Sequence, residues 1–190
     1  MNYYFDMDGF IVKYDKDAYR EVDGQQPRWL KKNEHYYRHL EADMWALELI
    51  YDLISYIKTH TRKDGTKDNA YILTTVIMGP MFNEHFHDKI LWSRETIPQL
   101  PLENILISVG DKNDCAEFVT DHVLTEEDIL IDDYNPNLEK WRAAGGTAIK
   151  YCNGQNNPNS FNGHHIGPMF DTVDETVRQI IELADSLASK

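Results

Sequence analysis

Two aspartates stand two positions apart directly behind the first apolar stretch of the chain. The segment FDMDG at 5–9 places Asp6 and Asp8 after an aromatic lead-in, and Gly9 follows them. Residues i and i+2 of an extended chain point to the same side, so both carboxylates could address one ligand. The aromatic residues are therefore predicted to end a buried strand, and the acids to begin a site.

Further polar residues end other apolar segments in the same way. Thr74 ends the second segment, Lys112 lies just beyond the third, and the pair Asp132 and Asp133 ends the fourth. Ligands of open parallel sheets gather at the carboxyl ends of the strands, so these residues are expected to converge. Because Asp132 and Asp133 point to opposite sides, we expect one to reach a metal directly and the other to act through water or an amide.

This set of side chains suits phosphoryl chemistry assisted by a metal. Clustered carboxylates repel one another unless a cation neutralises them, and oxygen ligands favour Mg²⁺. The Thr74 hydroxyl and Lys112 ammonium could then hold a phosphate. Each residue alone also has a structural interpretation: a turn for the Asp-x-Asp segment, strand packing for Thr74, a surface charge for Lys112, and a helix cap for the Asp pair. Their order at successive strand ends favours the site.

The elements that must position these residues alternate along the chain. Apolar segments rich in Ile, Val or Tyr predict strands at about 2–6, 70–74, 104–109, 128–132 and 146–151. Helical patterns lie between them, including one at 41–60, one with Asn135 as a possible N-cap, and one that opens with Thr172 and Glu175 in capping-box spacing. This alternation predicts an α/β fold: a three-layer, Rossmann-like parallel sheet.

Two stretches interrupt the alternation. Residues 13–40 are charged and aromatic without clear periodicity, and we interpret them as a small cap inserted after the first strand of a single domain, 1–190. Residues 152–170 are rich in Asn, Gly and Pro and predict a long loop. Within that loop His164 and His165 have no acids or cysteines at ligand spacing, which favours a loop or interface role.

Composition narrows the class of partner. The net charge of −13 opposes binding to nucleic acid polymers or anionic membranes, although small anions can bind where cations gather. Cys115 and Cys152 are far apart and in no metal-type spacing, and no stretch near 18 apolar residues and no charged-then-apolar leader occurs. We expect a cytoplasmic protein with a small substrate.

Four segments carry a family resemblance. FDMDG at 5–9, YILTT at 71–75, Lys112 and ILIDD at 129–133 resemble the four motifs of the haloacid dehalogenase-like (HAD) phosphohydrolase superfamily. More narrowly, 36–53, 86–92, 109–114 and 130–141 look like segments of the 5'(3')-deoxyribonucleotidase family. The resemblance spans roughly residues 2–151.

The resemblance implies a HAD-like core and assigns the catalytic and metal residues. Asp6 would be the nucleophile that forms an aspartyl-phosphate, and Asp8 the general acid and base. Mg²⁺ would be held by Asp6, by the backbone carbonyl of Asp8, and by Asp133 or, less favoured, Asp132.

It also assigns the residues that hold the substrate. Thr74, helped by Thr75, would bind the phosphoryl group, and Lys112 would occupy the third-motif position. Lys89, within the helix after the second strand, would support the phosphate. Tyr14 falls where the family stacks an aromatic residue on the nucleobase.

The implied activity is dephosphorylation of nucleoside monophosphates, and a HAD phosphatase for another small phosphorylated metabolite is the alternative. A receiver domain uses similar residue types, but it places its acid pair first and its lysine last. A binding module without catalysis would be expected to lack Asp6 or Asp8, and both are present. Tyr36 and Tyr37 are open to two interpretations, cap core or base stacking.

Overall fold

A six-stranded parallel sheet forms the centre of the protein in a computed structural model that describes residues 1–13, 35–62 and 65–189. The strands are β1 (Asn2–Phe5), β2 (Asn69–Thr75), β3 (Ile105–Ser108), β4 (Asp128–Asp132), β5 (Thr147–Tyr151) and β6 (His164–Ile166). The α-helices are α1 (Met44–Thr59), α2 (Phe82–Thr96), α3 (Lys112–Thr120), α4 (Asn135–Ala143) and α5 (Val173–Leu187). Short 3-10 helices lie at Tyr36–His39, Leu102–Asn104 and Pro158–Ser160.

Helices cover both faces of the sheet. Alternate residues of a strand point to opposite faces, so Tyr3 and Phe5 pack in one core cluster with α1, α2 and α5. Tyr4 lies in the other cluster, where its ring meets Trp141 of α4 at 4.9 Å between centroids. The predicted three-layer α/β fold is confirmed.

The strand order β3-β2-β1-β4-β5-β6 places β1 at the centre of the sheet. Phe5, its last residue, pairs with Ile72 of β2 on one side and Ile131 of β4 on the other. The chain builds the sheet outward from β1 to β3 and then returns to β4, so the topological switch lies between β1 and β4. Ligands of such sheets bind in the crevice outside the carboxyl ends at this switch.

Two local predictions are wrong. The 152–170 segment is not a continuous loop, because it contains β6, whose residue His164 pairs with Ile149 of β5. This edge strand has three residues, too few to show an alternating pattern. The N-cap of α4 is Tyr134 and not Asn135, whose side-chain amide donates to the Ser160 carbonyl oxygen at 2.8 Å.

Thr172 is the N-cap of α5, since its Oγ1 accepts from the Glu175 backbone N–H at 3.3 Å, while the Glu175 carboxylate pairs with Arg178. Within the described part of the chain no helix combines the length and apolar character needed to cross a membrane.

The proposed cap at 13–40 falls largely outside the described residues. On its near side, Val12 pairs antiparallel with Ala42, and the Lys13 N–H donates to the Glu41 carbonyl at 2.9 Å. The described ends of this segment therefore lie side by side. The division into one domain with a cap stays a prediction.

Candidate active site

The loop that follows β1, which is the first loop of the chain, turns sharply, so its two aspartates both stay beside the sheet. Val12 N–H donates to the Met7 carbonyl at 2.9 Å, which closes the turn around Gly9. Gly9 has a φ of 85°, and a Cβ built there would lie 2.4 Å from Asp133 Oδ2. Glycine is thus required both by the backbone and by the close approach of Asp133.

Lys112, the first residue of α3, joins two of the acids. Its buried ammonium lies 2.6 Å from Asp132 Oδ2 and also contacts Asp6 Oδ1. Asp132 accepts further hydrogen bonds from Asn137 Nδ2 at 2.9 Å and from the Tyr134 backbone N–H at 2.7 Å. Burial alone would lower the pKa of Lys112, but Asp132 and Asp6 raise it, so the lysine stays charged.

A second buried lysine contacts Asp8, the other aspartate of the first loop. Lys89 of α2 contacts Asp8 Oδ2, and its Nζ donates to Thr74 Oγ1 at 2.8 Å and to the Thr75 carbonyl at 2.9 Å. The same ammonium lies 4.4 Å from the centroid of the Tyr37 ring. The Thr74 hydroxyl is therefore bonded to Lys89, and it also lies 3.4 Å from Asp8 Oδ2.

Residues of β5 and of the loop after β5 donate hydrogen bonds to Asp133. Asn153 Nδ2 donates to Asp133 Oδ2 at 3.0 Å and to the Gly9 carbonyl at 3.1 Å. Lys150 Nζ donates to the backbone carbonyl of Asp133 at 2.7 Å. The side chain of Asn153 thus ties the first loop to the end of β4.

Three carboxylates in this site suit a metal. Ligand oxygens of Asp6, Asp132 and Asp133 all lie within 4.8 Å of one another. Burial, with repulsion from Asp132, raises the pKa of Asp6 to about 7 although Lys112 opposes the shift. Burial, with repulsion from Asp132 and Asp6, likewise raises the pKa of Asp133 to about 8. The cluster carries more acid than Lys112 balances, so its all-oxygen donor set fits a hard divalent cation.

The hydrogen bonds distinguish Asp132, the last residue of β4, from Asp133, which follows it. Asp132 already accepts from Lys112, Asn137 and Tyr134. Asp133 makes a single described side-chain hydrogen bond, to Asn153. By its hydrogen bonds Asp133 is better placed than Asp132 to hold a metal together with Asp6, and the assignment of the metal ligands stays a prediction.

A cleft of about 560 Å³ opens over these strand ends. Its polar lining includes Asp6, Asp8, Thr75, Lys112 and Asp133, and its apolar lining includes Tyr37, Ile77 and Tyr134. The volume lies within the range of small-molecule sites, which are largely apolar with a few convergent polar groups.

The structure brings together all but one of the residues chosen from the sequence, namely Asp6, Asp8, Thr74, Thr75, Lys89, Lys112, Asp132 and Asp133. Tyr14 lies outside the described residues. Sequence reasoning missed Asn137, Asn153, Lys150 and Tyr134. Of these, Lys150 had a local signal, because it is a lysine in an otherwise apolar strand.

No protein-family model and no curated protein matches the chain. A solved structure described as a hydrolase from Pseudomonas syringae has a similar fold, with a TM-score of 0.58 at 15% sequence identity. The alignment covers 96% of this chain and 99% of that one. The likeness extends over nearly the whole chain, and at this identity it concerns the fold.

Proposed function

We propose that the protein is a Mg²⁺-dependent phosphomonoester hydrolase that works through an aspartyl-phosphate and acts on nucleoside monophosphates, as the 5'(3')-deoxyribonucleotidases do. One observation carries the proposal: Asp6 and Asp8 face the same cleft as Lys112 and Asp133. The fold shared with a protein described as a hydrolase supports it. So does the concentration of buried lysines beside one cleft in a chain of net charge −13.

In the first step an Asp6 carboxylate oxygen attacks phosphorus. The new Asp6–phosphorus bond forms as the bond from phosphorus to the leaving oxygen breaks. That oxygen is a poor leaving group as an alkoxide, and Asp8 supplies the proton it needs. Lys112 contacts Asp6 and so keeps its carboxylate oriented toward the cleft.

In the second step Asp8 takes a proton from water, the hydroxyl oxygen bonds to phosphorus, and the Asp6–phosphorus bond breaks. Phosphate is released and Asp6 returns as a carboxylate. Mg²⁺ held by Asp6 and Asp133, with the backbone carbonyl of Asp8, would neutralise the phosphoryl oxygens. Lys89 lies beside Asp8 and Thr74, where its charge supports the same oxygens.

The apolar lining favours a substrate with a planar organic half. Tyr37, Ile77 and Tyr134 give part of the cleft an apolar and aromatic lining, which suits a nucleobase better than a second anionic group. A different small phosphorylated metabolite is the second candidate, because the cleft volume admits either.

The test is a phosphate-release screen across nucleoside monophosphates and sugar phosphates, with Mg²⁺ and with EDTA. We expect turnover with Mg²⁺ that EDTA abolishes, and a preference for nucleotides. Asp6→Asn should reduce turnover by several orders of magnitude because the nucleophilic charge is lost. Asp52→Asn, which changes an exposed acid of α1, is the matched control. Full activity in EDTA or in Asp6→Asn would contradict the phosphotransfer mechanism, and a preference for sugar phosphates would select the second candidate.

A further inference from the structure

A second cluster of metal-type ligands lies on α2 and the segment before α1. Glu84 and Asp88 are four residues apart on α2 and so share one face of the helix. His35 approaches both: its backbone N–H donates to Glu84 Oε1 at 3.1 Å, and its Nδ1 lies 2.9 Å from Asp88 Oδ1. One ligand atom of each residue lies within 4.8 Å of those of the other two.

Asp88 supplies an independent sign that a ligand is missing from this cluster. Its side chain is 1% exposed, and its second oxygen, Oδ2, is buried with no hydrogen-bond partner among the residues that the structure describes. A buried carboxylate oxygen without a hydrogen bond is unfavourable, so native proteins seldom keep one without a reason. A cation between the three side chains would satisfy it.

We propose that His35, Glu84 and Asp88 form a second divalent-metal site, of the kind that takes Zn²⁺. One imidazole nitrogen and two carboxylates are a donor set that Zn²⁺ accepts, with water in the fourth position. On binding, the metal replaces the proton shared by His35 Nδ1 and Asp88, and that proton leaves to solvent. The His35 side chain is 65% exposed, so it can move to close the remaining distance.

The site ties together two segments that flank the cleft. Tyr37 lies two residues after His35 and lines the cleft, while Lys89 follows Asp88 and contacts Asp8. The Lys89 ammonium and the Tyr37 ring are already in contact at 4.4 Å. A metal at this position would therefore hold the Tyr37 segment on α2. The proposal does not depend on the reaction assigned to the cleft.

The test is Zn²⁺ binding to the full chain in the presence of excess Mg²⁺, by calorimetry and by metal content after desalting. The parent protein for this measurement carries Asp133→Asn. This substitution removes one carboxylate from the cluster of three aspartates beside β1, so that Zn²⁺ binding there does not mask binding at the second site. We expect one Zn²⁺ per chain and a rise in thermal midpoint on adding Zn²⁺. His35→Ala should weaken this binding by about tenfold or more and remove the thermal shift.

The matched control is His39→Ala, which removes an exposed histidine of the 3-10 helix that follows His35 and should bind Zn²⁺ as its parent does. Glu84→Gln keeps the side-chain shape, and it should weaken binding as His35→Ala does. The proposal is overturned if Zn²⁺ does not bind, if His35→Ala and Glu84→Gln bind as tightly as the parent, or if His39→Ala loses the metal equally.

Discussion

Lys112 Nζ lies 2.6 Å from Asp132 Oδ2, and the same ammonium contacts Asp6 across the boundary between β4 and β1. One buried cation thus links the ends of two neighbouring strands, and one of its two acids is the proposed nucleophile. Fold stability and the proposed catalysis therefore depend on the same side chain.

Lys112→Met should lower both the stability of the fold and the rate of phosphate release. Removing one partner of a buried ion pair costs about 3–5 kcal/mol, because it leaves charge without compensation. The unfolding free energy in urea, measured in EDTA so that no metal substitutes for the lysine, should fall by about this amount. Phosphate release should also fall strongly.

Lys140→Met is the control for that substitution, since Lys140 pairs with Asp111 on the surface. Exposed ion pairs contribute little, so its stability should stay close to that of the parent. Equal losses in the two variants would contradict a special role for Lys112.

Asp8→Asn should separate the two steps of the reaction. A nucleoside leaving oxygen needs a proton, so the first step should slow severely for a nucleotide, but p-nitrophenyl phosphate needs none and should be affected mildly. The second step lacks its base with either substrate. With the aryl substrate, rapid-quench kinetics should show a burst of nitrophenol near one per site, and intact mass should show phosphate on Asp6. Absence of both, with the fold preserved, would remove Asp8 from this role.

Tyr14→Ala tests whether an aromatic ring stacks on the organic half of the substrate, although Tyr14 lies outside the described residues. Stacking on an aromatic ring is worth about 1–3 kcal/mol per base, so KM for nucleotides should rise by roughly ten- to a hundredfold. Small aliphatic phosphates have no ring to stack and should change little. Steady-state kinetics on both substrate classes measure these changes. Equal losses on nucleotides and on aliphatic phosphates would indicate a structural role for Tyr14.

His122 and Asp128 predict a pH dependence of stability away from the cleft. The hydrogen bond from His122 Nε2 to Asp128 Oδ2, 3.0 Å long, raises the pKa of His122. A raised folded-state pKa stabilises the protein fully below about pH 6.5, the unfolded value, and this stability is lost as pH rises through the folded value. Because the side chain is 38% exposed, screening limits the effect to about 0.2–1 kcal/mol.

His122→Ala should therefore lower the unfolding free energy at pH 5.5 and change it less at pH 8.5. Urea unfolding at the two pH values measures the difference. Asp128 adds a second pH dependence, a loss of stability at acidic pH. Burial opposes its ionisation, but hydrogen bonds from Asn2, Thr125 and His122 lower its pKa, so its contribution is lost only as pH falls through that lowered value. A His122→Ala effect of equal size at both pH values would rule out the ion pair.

The sequence predicted those elements that can be recognised from local composition. The strands β1 to β5 are runs of apolar residues long enough to recognise, and the acids at their ends needed only the rule that parallel strands end together. β6 could not be recognised in this way. Its residues His164, His165 and Ile166 form a strand because the free edge of β5 is available, which is a property of the assembled sheet.

The missed site residues have a similar explanation. Asn153 joins Gly9 to Asp133, and Asn137 bonds to Asp132, yet both lie in segments where asparagine is ordinary. Their roles come from tertiary contacts that local patterns do not encode. Asp132 accepts from the Tyr134 N–H just before α4 as well as from Lys112, but no side chain caps α4, so the helix-cap interpretation of this residue is wrong.

The central place of β1 also bears on how the chain emerges from the ribosome. Asn2 bonds to Asp128, and 126 residues separate them. At about 5–20 residues per second, roughly 6 to 25 s pass between the synthesis of β1 and that of β4. Throughout that interval one edge of a strand as apolar as Tyr3-Tyr4-Phe5 lacks its native partner, which exposes the nascent chain to wrong pairing. Chaperone binding to this stretch during translation would protect a strand that the finished protein holds between two neighbours inside the sheet.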